Sequence, residues 1–489
     1  MTFSHLIAPL PHNSDPIPVD PEITFVTPDP ALCRPGALYV AIAGFHRDGH
    51  SAIPEAVSGG AAACLIRSDR PEAAAYLSQN GVPFLAVPDT RIAEAAVTSR
   101  FYGDPGESLS LTAVTGTNGK TTMVSLLHEI YTRAGFACET IGTLTGSLTT
   151  PDPAVLYPAL AEFRDRGITH VFLEASSHAL ALGKLAPLRF HAAIFTNLTP
   201  EHLDFHKTMA AYAEAKQTLF RQADRSILNA DSPYASLMAE ASAGPVLLCS
   251  ACGRPADFGA VSIRSDGENG LSYRVSTLDR MFRITTPLVG DFAVMNTLEA
   301  AAAAYADGIA VSVIRGALAG FRGVRGRLER IPLPTSDYAV YIDFAHTPDA
   351  LEKVLRAVRG FMKPGQRLVL VFGCGGDRDK SKRPLMGRAA TRLADFVIVT
   401  SDNSRSERPS DILFDILAGC DGPAPHVVIE NRREAIAFAV SSAQTGDVIL
   451  LCGKGHEEYE ILADGKHPFS ERDIVLDACR TVLRARGQY

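Results

Sequence analysis

The chain has 489 residues, of which 46% are hydrophobic and 21% are charged, and its formal net charge at pH 7 is −7. This length favours two to four domains, and the negative charge argues against broad affinity for nucleic acid. The composition is typical of a globular enzyme with small substrates, held in local basic pockets rather than on a basic surface.

Buried strands alternate with alanine-rich helices in the first predicted domain, residues 1–107. The strands are ALYVAIAG (37–44), AACLIR (62–67) and PFLAVP (83–88). This alternation predicts a small α/β layer.

The second predicted domain, residues 108–330, opens with the strand LSLTAVTG, a glycine loop and the helix KTTMVSLLHEIYTRAG. Further strands are predicted at THVFLEA (169–175) and AAIFTNL (192–198). The third domain, residues 331–489, alternates the strands YAVYIDF, LVLVFG, DFVIVTS and DVILLCG with helical patterns. Four such strands predict a doubly wound, Rossmann-like sheet.

The cysteine pattern and the hydropathy indicate the cellular compartment of the protein. Nine cysteines without framework spacing predict reduced thiols, and the lone pair Cys249-Ser-Ala-Cys252 is interpreted as two ordinary thiols. The N-terminus lacks the pattern of a signal peptide, and no apolar run approaches the roughly 18 residues of a membrane span. We therefore expect a cytoplasmic protein without membrane insertion.

The glycine loop TGTNGKTT (115–122) is one glycine short of the common phosphate-binding pattern, because Val114 stands where the first glycine is expected. Glycines still let backbone N–H groups turn inward, and the following helix adds the positive end of its dipole. Lys120 can reach outer phosphates and the Thr121 hydroxyl can bind Mg²⁺. The loop therefore predicts a nucleotide site.

TGTNGKTT resembles the ATP loop of the Mur ligase family. The resemblance extends through EASSHAL (174–180), TNLTPEHLDFH (196–206), AYAEAKQTLF (211–220), DFAHTPDAL (343–351), FGCGGDRDKSKRPLMG (372–387), SDNSR (401–405) and GKGHE (453–457). It implies a three-domain α/β architecture: a UDP-sugar-binding domain (1–107), a P-loop ATPase domain (108–330) and an amino-acid-binding domain (331–489). It also implies ATP and Mg²⁺ as cofactors.

The resemblance assigns ATP binding to the glycine loop and to three residues beyond it. These are Gly116, Thr117, Asn118, Gly119, Lys120, Thr121, Thr122, Asn296, Arg327 and His346. Without the resemblance, Asn296 is equally well a helix cap, Arg327 a surface charge and His346 a turn residue.

Catalytic roles are implied for Lys120, Glu174, His202 and Lys216, and metal binding for Thr121, Glu174, His202 and a carbamate of Lys216. By sequence alone, Glu174 and His202 are equally well solvated at strand ends. Lys216 shares an apolar face with Tyr212 and Phe220, which ordinarily indicates a snorkelling lysine. Burial, however, lowers a lysine pKa and frees the amine to react with carbon dioxide.

The resemblance implies that the nucleotide-sugar substrate contacts residues of the first two domains: Thr149, Thr150, Ser176, Lys184, Phe45, His46 and Arg47. The chain departs from the family here. It has Leu182 and Lys184 where relatives have glutamine and arginine, and VTPDPALCRPG where they have Asp-Ser-Arg.

The third domain is expected to bind the incoming amino acid through Arg378, Asp402, Asn403, Ser404, Arg405, Gly453 and Glu457. Family members that add meso-diaminopimelate carry Asp-Asn-Pro-Arg, whereas this chain has Asp402-Asn403-Ser404-Arg405. The arginine suits a distal carboxylate. For Lys380, Lys382 and Arg383, a solvated basic loop is the alternative.

Taken together, the resemblance implies a monomeric ATP-dependent ligase of peptidoglycan synthesis. It adds meso-diaminopimelate to UDP-N-acetylmuramoyl-L-alanyl-D-glutamate through an acyl phosphate. The alternatives are the same ligation with L-lysine or another diamino acid, a related ligase such as folylpolyglutamate synthetase, and a nucleotide-driven binding or switch protein.

Overall fold

The computed structural model describes residues 1–11, 19–44, 47–146, 148–335 and 337–485. These residues form three separate sheets and one β-hairpin, each sheet flanked by helices. The predicted three-part α/β architecture is confirmed. The exact domain boundaries, after residues 107 and 330, stay a prediction. None of the helices in these ranges has both the length and the hydropathy that a bilayer span requires.

The first sheet has four parallel strands in the order β1-β2-β3-β4. Two hydrophobic clusters cover its faces, one under α1 and α4 and the other under α2 and α3. The elements are α1 (Phe3–Ile7), β1 (Phe25–Thr27), β2 (Ala37–Val40), α2 (Ile53–Ser58), β3 (Ala61–Arg67), α3 (Pro71–Gln79), β4 (Phe84–Val87) and α4 (Thr90–Phe101). Strand β1 was not predicted, since three residues are too few to show a pattern.

The central sheet has nine strands in the order β13-β12-β11-β10-β9-β8-β5-β7-β6, and all neighbouring pairs are parallel except β11–β12 and β12–β13. The first elements are β5 (Ser110–Thr115), α5 (Lys120–Arg133), β6 (Cys138–Ile141), α6 (Pro153–Asp165), β7 (His170–Glu174), α7 (Ser177–Ala181), β8 (Ala192–Phe195), α8 (Leu203–His206) and α9 (Met209–Phe220). The others are β9 (Ser226–Asn229), α10 (Ala235–Ala241), β10 (Val246–Ser250), β11 (Phe258–Ser265), β12 (Leu271–Ser276), β13 (Met281–Thr286), α11 (Asp291–Ala306) and α12 (Val311–Gly320).

Strand β5 lies between β7 and β8, and all three run parallel. The loops that follow them therefore leave the sheet at the same edge. This places the glycine loop, the end of THVFLEA and the start of TNLTPEHLDFH side by side, although up to 80 or so residues separate them in sequence.

The third sheet has the order β14-β15-β19-β16-β17-β18, with only β14 antiparallel. Helices α13 to α15 cover one face and α16 and α17 the other, which confirms the doubly wound prediction. The elements are β14 (Glu329–Arg330), β15 (Ala339–Asp343), α13 (Pro348–Phe361), β16 (Leu368–Phe372), α14 (Lys382–Leu393), β17 (Phe396–Val399), α15 (Pro409–Leu417), β18 (His426–Val428), α16 (Arg432–Ser441), β19 (Val448–Cys452) and α17 (Glu471–Ala485), with β20 (Tyr459–Leu462) and β21 (Gly465–Pro468) as the hairpin.

Helix α11 is buried along most of its length and carries a carboxyl group in its core-facing surface. Glu299 is fully buried, and neither of its carboxyl oxygens has a hydrogen-bond partner among the described residues. Burial, reinforced by the charge of Asp231, raises the pKa of Glu299 well above its ordinary value of 4.5. The folded chain therefore holds a proton that the unfolded chain releases.

We expect Glu299→Leu to stabilise the protein by ~1–3 kcal/mol at about pH 8, because it removes an unsatisfied buried polar group. Because the pKa of Glu299 is raised in the folded state, its contribution to the free energy of unfolding of the wild type is fully present below pH 4.5. This contribution is lost as pH rises towards the folded-state pKa. The gain should therefore shrink towards acid pH. Calorimetric unfolding across this range measures it, with the exposed Glu214→Leu on α9 as control. A gain that does not change with pH contradicts the protonation argument.

Candidate active site

The glycine loop is packed so tightly that its two glycines are required. Gly119 has φ +93°, and a Cβ there would lie 2.9 Å from the Asn296 Oδ1. A Cβ on Gly116 would lie 2.0 Å from the Thr196 Oγ1. The shortened loop is therefore an intact turn that leads directly into the N-terminus of α5.

Lys120 is the first residue of α5 and folds back over the loop. Its Nζ donates hydrogen bonds to the carbonyl oxygens of Gly116, at 2.8 Å, and Thr117, at 3.0 Å. Burial lowers the pKa of Lys120, and the carboxylates of Glu174 and Glu201 oppose this shift. A partly desolvated ammonium group on a phosphate-binding turn is positioned to bind an anion.

Glu174 ends strand β7 beside the glycine loop and is buried. Its Oε2 accepts hydrogen bonds from the Thr121 hydroxyl at 3.0 Å and the Thr143 hydroxyl at 3.1 Å, and its Oε1 accepts from the Thr143 N–H at 2.8 Å. The alternative of a solvated strand end is wrong. A carboxylate and a hydroxyl in contact supply the hard oxygen donors that suit Mg²⁺.

Lys216 is 1% exposed, so the snorkelling alternative is wrong. Its Nζ lies 3.3 Å from the Thr115 Oγ1 and 4.7 Å from the centre of the Tyr212 ring. Burial and the charge of Lys120 hold the pKa of Lys216 well below its ordinary value. Such an amine is neutral and nucleophilic far more readily than an exposed one.

His202 lies near Lys216, across the Tyr212 ring, with ring centroids 6.2 Å apart. The His202 side chain is 42% exposed, and desolvation of its buried part lowers the pKa of His202 to about 4, against the opposing charge of Glu201. The imidazole is therefore neutral near pH 7 and keeps a nitrogen lone pair for a metal ion or a proton.

Glu201 is a residue that the sequence interpretation missed. Its carboxylate lies 3.7 Å from the His202 Nε2 and 3.5 Å from the His346 Nε2. Burial alone raises its pKa, but the hydrogen bond from His346 and the charge of His202 lower the pKa to about 2. The signal was available, since Glu201 lies inside the motif TNLTPEHLDFH.

The predicted contacts of the nucleotide-sugar substrate lie beside Glu174. The Thr150 hydroxyl donates to the Glu174 backbone oxygen at 2.7 Å and lies 3.1 Å from the Ser176 Oγ, and Thr149 lies 3.1 Å from the Thr143 hydroxyl. Lys184 forms an ion pair with Asp152 at 2.6 Å.

In the first domain, the predicted turn is only partly described. Phe45 and His46 lie outside the described residues. Arg47 is exposed and pairs with Glu55 at 2.8 Å.

A cavity of about 560 Å³ lies between the central and third sheets. Seven of the ten predicted nucleotide residues line it: Asn118, Gly119, Thr121, Thr122, Asn296, Arg327 and His346. Apolar side chains such as Phe292 and Val354 form another part of the wall. A phosphate-binding turn at one end and an apolar slot at the other suit a nucleotide.

The structure excludes two alternative roles of cavity residues, a helix cap for Asn296 and a surface charge for Arg327. Asn296 lies inside α11, whose N-cap is Gly290, so it does not cap the helix. Arg327 is half-buried, stacks over the Phe344 ring at 4.6 Å and donates to the Thr121 hydroxyl at 3.2 Å. It therefore joins the segment that leads into the third sheet to the glycine loop.

The third-domain residues meet at the carboxyl edge of β16, β17 and β19. The Asn403 Nδ2 donates to the Glu457 Oε2 at 2.9 Å, and its Oδ1 accepts from Lys454, a buried lysine that the sequence interpretation missed. Gly453 has φ +119° and leaves room for the Asp402 carboxylate. A Cβ at position 453 would lie 2.4 Å from the Asp402 Oδ2. The carboxylates of Asp402 and Glu457 and the amide of Asn403 thus lie close together at this edge of the sheet.

Two arginines face the same region. The Arg405 Nη1 donates to the Gly376 oxygen at 2.8 Å, and burial together with the positive charge of Arg378 lowers the pKa of Arg405. Neither Arg378 nor Arg405 forms an ion pair with any carboxylate of the described chain. Two neighbouring guanidinium groups that pair with no carboxylate of the described residues are suited to binding an external carboxylate.

Three stretches of the chain match known protein families. Residues 22–102 match "Mur ligase family, catalytic domain", residues 114–304 match "Mur ligase middle domain", and residues 326–455 match "Mur ligase, glutamate ligase domain".

Among curated relatives, two proteins named UDP-N-acetylmuramoyl-L-alanyl-D-glutamate–2,6-diaminopimelate ligase are similar over nearly their full length. The one from Chlorobaculum tepidum is 41% identical, covering 94% of this chain and 92% of the relative. The one from Syntrophomonas wolfei is 38% identical, covering 95% and 96%.

A solved structure described by the same enzyme name superposes with a TM-score of 0.70 at 30% identity and covers 100% of both chains. A MurF ligase from Thermotoga maritima in complex with ADP gives a TM-score of 0.64 at 16% identity, covering 94% of this chain and 98% of that one. At 16% identity the likeness concerns the fold alone.

Proposed function

The chain belongs to the Mur ligase family, and from this we propose that it joins meso-diaminopimelate to UDP-N-acetylmuramoyl-L-alanyl-D-glutamate at the expense of ATP. The reaction is a step of peptidoglycan synthesis. The observation that supports the choice of amino acid is the pair Arg378 and Arg405. They form no ion pair within the described part of the chain, and Arg405 lies near Asp402 and Glu457.

The amino acid site offers complementary groups for both ends of a diamino dicarboxylic acid. Guanidinium groups grip a carboxylate by two parallel hydrogen bonds. Acidic and amide oxygens accept hydrogen bonds from an ammonium group. Lysine has no second carboxylate, and its binding would leave a guanidinium group desolvated without a partner.

ATP is assigned to the cavity, with its phosphates on the glycine loop and Lys120. Arg327, at the boundary between the second and third domains, reaches the Thr121 hydroxyl, so it closes the phosphate end of the cavity. Transfer of the γ-phosphoryl group to the D-glutamate side chain gives an acyl phosphate, because a free carboxylate has no usable leaving group. The amine of the incoming amino acid then displaces phosphate.

The acceptor substrate is assigned to Thr149, Thr150 and Ser176, which adjoin Glu174, and to Lys184, which pairs with Asp152. These side chains hold the D-glutamate carboxylate near the loop, and the closeness of the three domains excludes water from the acyl phosphate. Uridine contacts at Phe45, His46 and Arg47 remain a prediction.

The donor groups of this site fit Mg²⁺. Thr121 and Glu174 would hold one ion, and His202 with a carbamate formed on Lys216 would hold a second. When bound, Mg²⁺ neutralises charge on the transferring phosphoryl group.

Because ATP and a nucleotide-activated sugar are substrates, we assign the enzyme to the cytoplasm. The monomeric state stays a prediction.

Competition between meso-diaminopimelate and L-lysine at equal concentration tests the proposed function. Mass analysis of the product should show almost only the diaminopimelate adduct, and ADP release should require both the acceptor and the amino acid. A predominant lysine product would overturn the substrate assignment. ATP turnover without either substrate would favour a nucleotide-driven switch.

Arg405→Ala should weaken this preference specifically. We expect kcat/KM for meso-diaminopimelate to fall about 10²-fold or more, because the distal carboxylate loses a desolvated charge partner, while kcat/KM for L-lysine changes little. Arg408→Ala, three residues away and exposed, is the matched control. Equal losses for both amino acids would remove Arg405 from the proposed carboxylate clamp.

A further inference from the structure

A buried ion cluster lies directly behind the amino acid site. Arg383, near the start of α14, has a fully buried side chain. Its Nη2 donates to the Glu407 Oε1 at 2.8 Å, while its Nη1 donates to the Glu407 Oε2 at 3.0 Å and to Asp415 in α15 at 2.9 Å. The alternative of a solvated basic loop is therefore wrong for Arg383.

Glu407 also binds the loop that follows β16, and so connects Arg383 to it. Its Oε1 also accepts the backbone N–H of Asp377 at 2.6 Å. The Asp377 side chain in turn accepts from the Ser406 hydroxyl at 2.7 Å and the Ser406 N–H at 3.2 Å. Arg383 itself donates to the Gly375 oxygen at 3.3 Å.

The same two loops carry the arginines of the proposed carboxylate clamp. Arg378 follows Asp377, and Arg405 lies between Asn403 and Ser406. The loops also share the bond from the Gly376 N–H to the Asn403 oxygen at 2.9 Å, and Asp377 and Arg405 both have positive φ, 52° in each. Such backbone conformations persist only where surrounding contacts hold them.

We propose that Arg383 is a positioning residue for amino acid selectivity: through its two-pronged contact with Glu407 it sets the spacing of Arg378 and Arg405 and thereby their grip on a second carboxylate. This inference rests on the proposed function, because it names the residue that builds its clamp. Arg383 contacts Gly375 and Glu407, which belong to the two loops, and it acts through them.

The physical argument distinguishes positioning from stability. Buried ion pairs contribute little net stability compared with apolar replacements, since desolvation offsets their attraction. A planar guanidinium fixes two carboxylate oxygens at once, whereas an ammonium cannot reproduce that fork. Lysine at position 383 therefore keeps the charge and loses the geometry.

The test compares Arg383→Lys with wild type and with Arg388→Lys on the same helix. Arg388 pairs with Asp421 at 3.2 Å, but its side chain is 49% exposed. For Arg383→Lys we expect the KM for meso-diaminopimelate to rise about 10- to 100-fold, the effect of a displacement of about 1 Å in a binding group. The KM for ATP should stay within about twofold, and selectivity over L-lysine should fall by a similar factor to the rise in KM. Arg388→Lys should match wild type.

Glu407→Gln is a second variant in case Arg383→Lys folds poorly. It keeps the shape of the side chain and removes its charge, so it should show the same loss of selectivity. The proposal is overturned if folded Arg383→Lys and Glu407→Gln keep the wild-type selectivity. It is also overturned if kcat falls and the KM values for all substrates rise together. Failure of the proposed function gives a different result, because wild type would then form no amide with meso-diaminopimelate.

Discussion

Replacing Lys120 with methionine is expected to lower kcat for amide formation by about 10³-fold, the cost of removing a preorganised charge from a phosphoryl-transfer site. The Lys120 Nζ is held by hydrogen bonds to the Gly116 and Thr117 carbonyl oxygens. No reorganisation is then needed when negative charge moves between oxygens of the transferring group. Methionine keeps the length of the side chain and provides no charge.

The measurement is the steady-state rate of ADP release with both substrates saturating. Calorimetric titration with ADP should show weaker but measurable binding, because the backbone N–H groups of the loop and the cavity walls remain. Lys363→Met, the same change at an exposed position, should leave the rate unaltered. A Lys120→Met enzyme within about tenfold of wild type would remove Lys120 from phosphoryl transfer.

Lys216→Met is expected to lower kcat by at least about 10²-fold if the buried amine acts as a carbamate, since the variant loses an anionic metal ligand. Methionine fills nearly the same volume and suits the apolar surroundings better than an amine. A purely structural lysine would therefore tolerate this change. The 1% exposure of Lys216 and its depressed pKa favour the reactive, neutral amine.

Chemical rescue separates the two roles of Lys216. Lys216→Ala leaves a buried space next to Thr115 and Tyr212. Formate can enter such a space and return a carboxylate, so added formate should restore part of the activity of Lys216→Ala and none of that of Lys216→Met. Full activity of Lys216→Met, or rescue of both variants alike, would contradict the carbamate.

Strands buried on both faces could be predicted from the sequence. VILLC (448–452) and LVLVF (368–372) are buried at every position, and parallel strands of this kind read as continuous apolar runs. Strand β18 was not predicted. It lies at the sheet edge, has three residues and buries none of them fully. Strands β12 and β13 are antiparallel with alternating burial, and this pattern was not recognised.

The glycine loop and the motifs at strand ends were also available from the sequence, because their chemistry depends on residues close together in the chain. The tertiary structure was needed for charge and burial. Lys120, Glu174 and Lys216 belong to three different elements, and only their packing lowers the pKa of the two lysines.

The sequence by itself determined the phosphate-binding turn, the α/β class and the residue types of the amino acid site, since these follow from local patterns of glycine, apolar and charged residues. Only the tertiary structure showed that Arg383 is buried behind the site, that Glu201 links two histidines and that Lys454 orients Asn403. The physical reason is that a charged residue in a loop has the same local pattern whether water or another chain segment surrounds it. Its neighbours in space, which decide its solvation and its partners, come from distant parts of the chain.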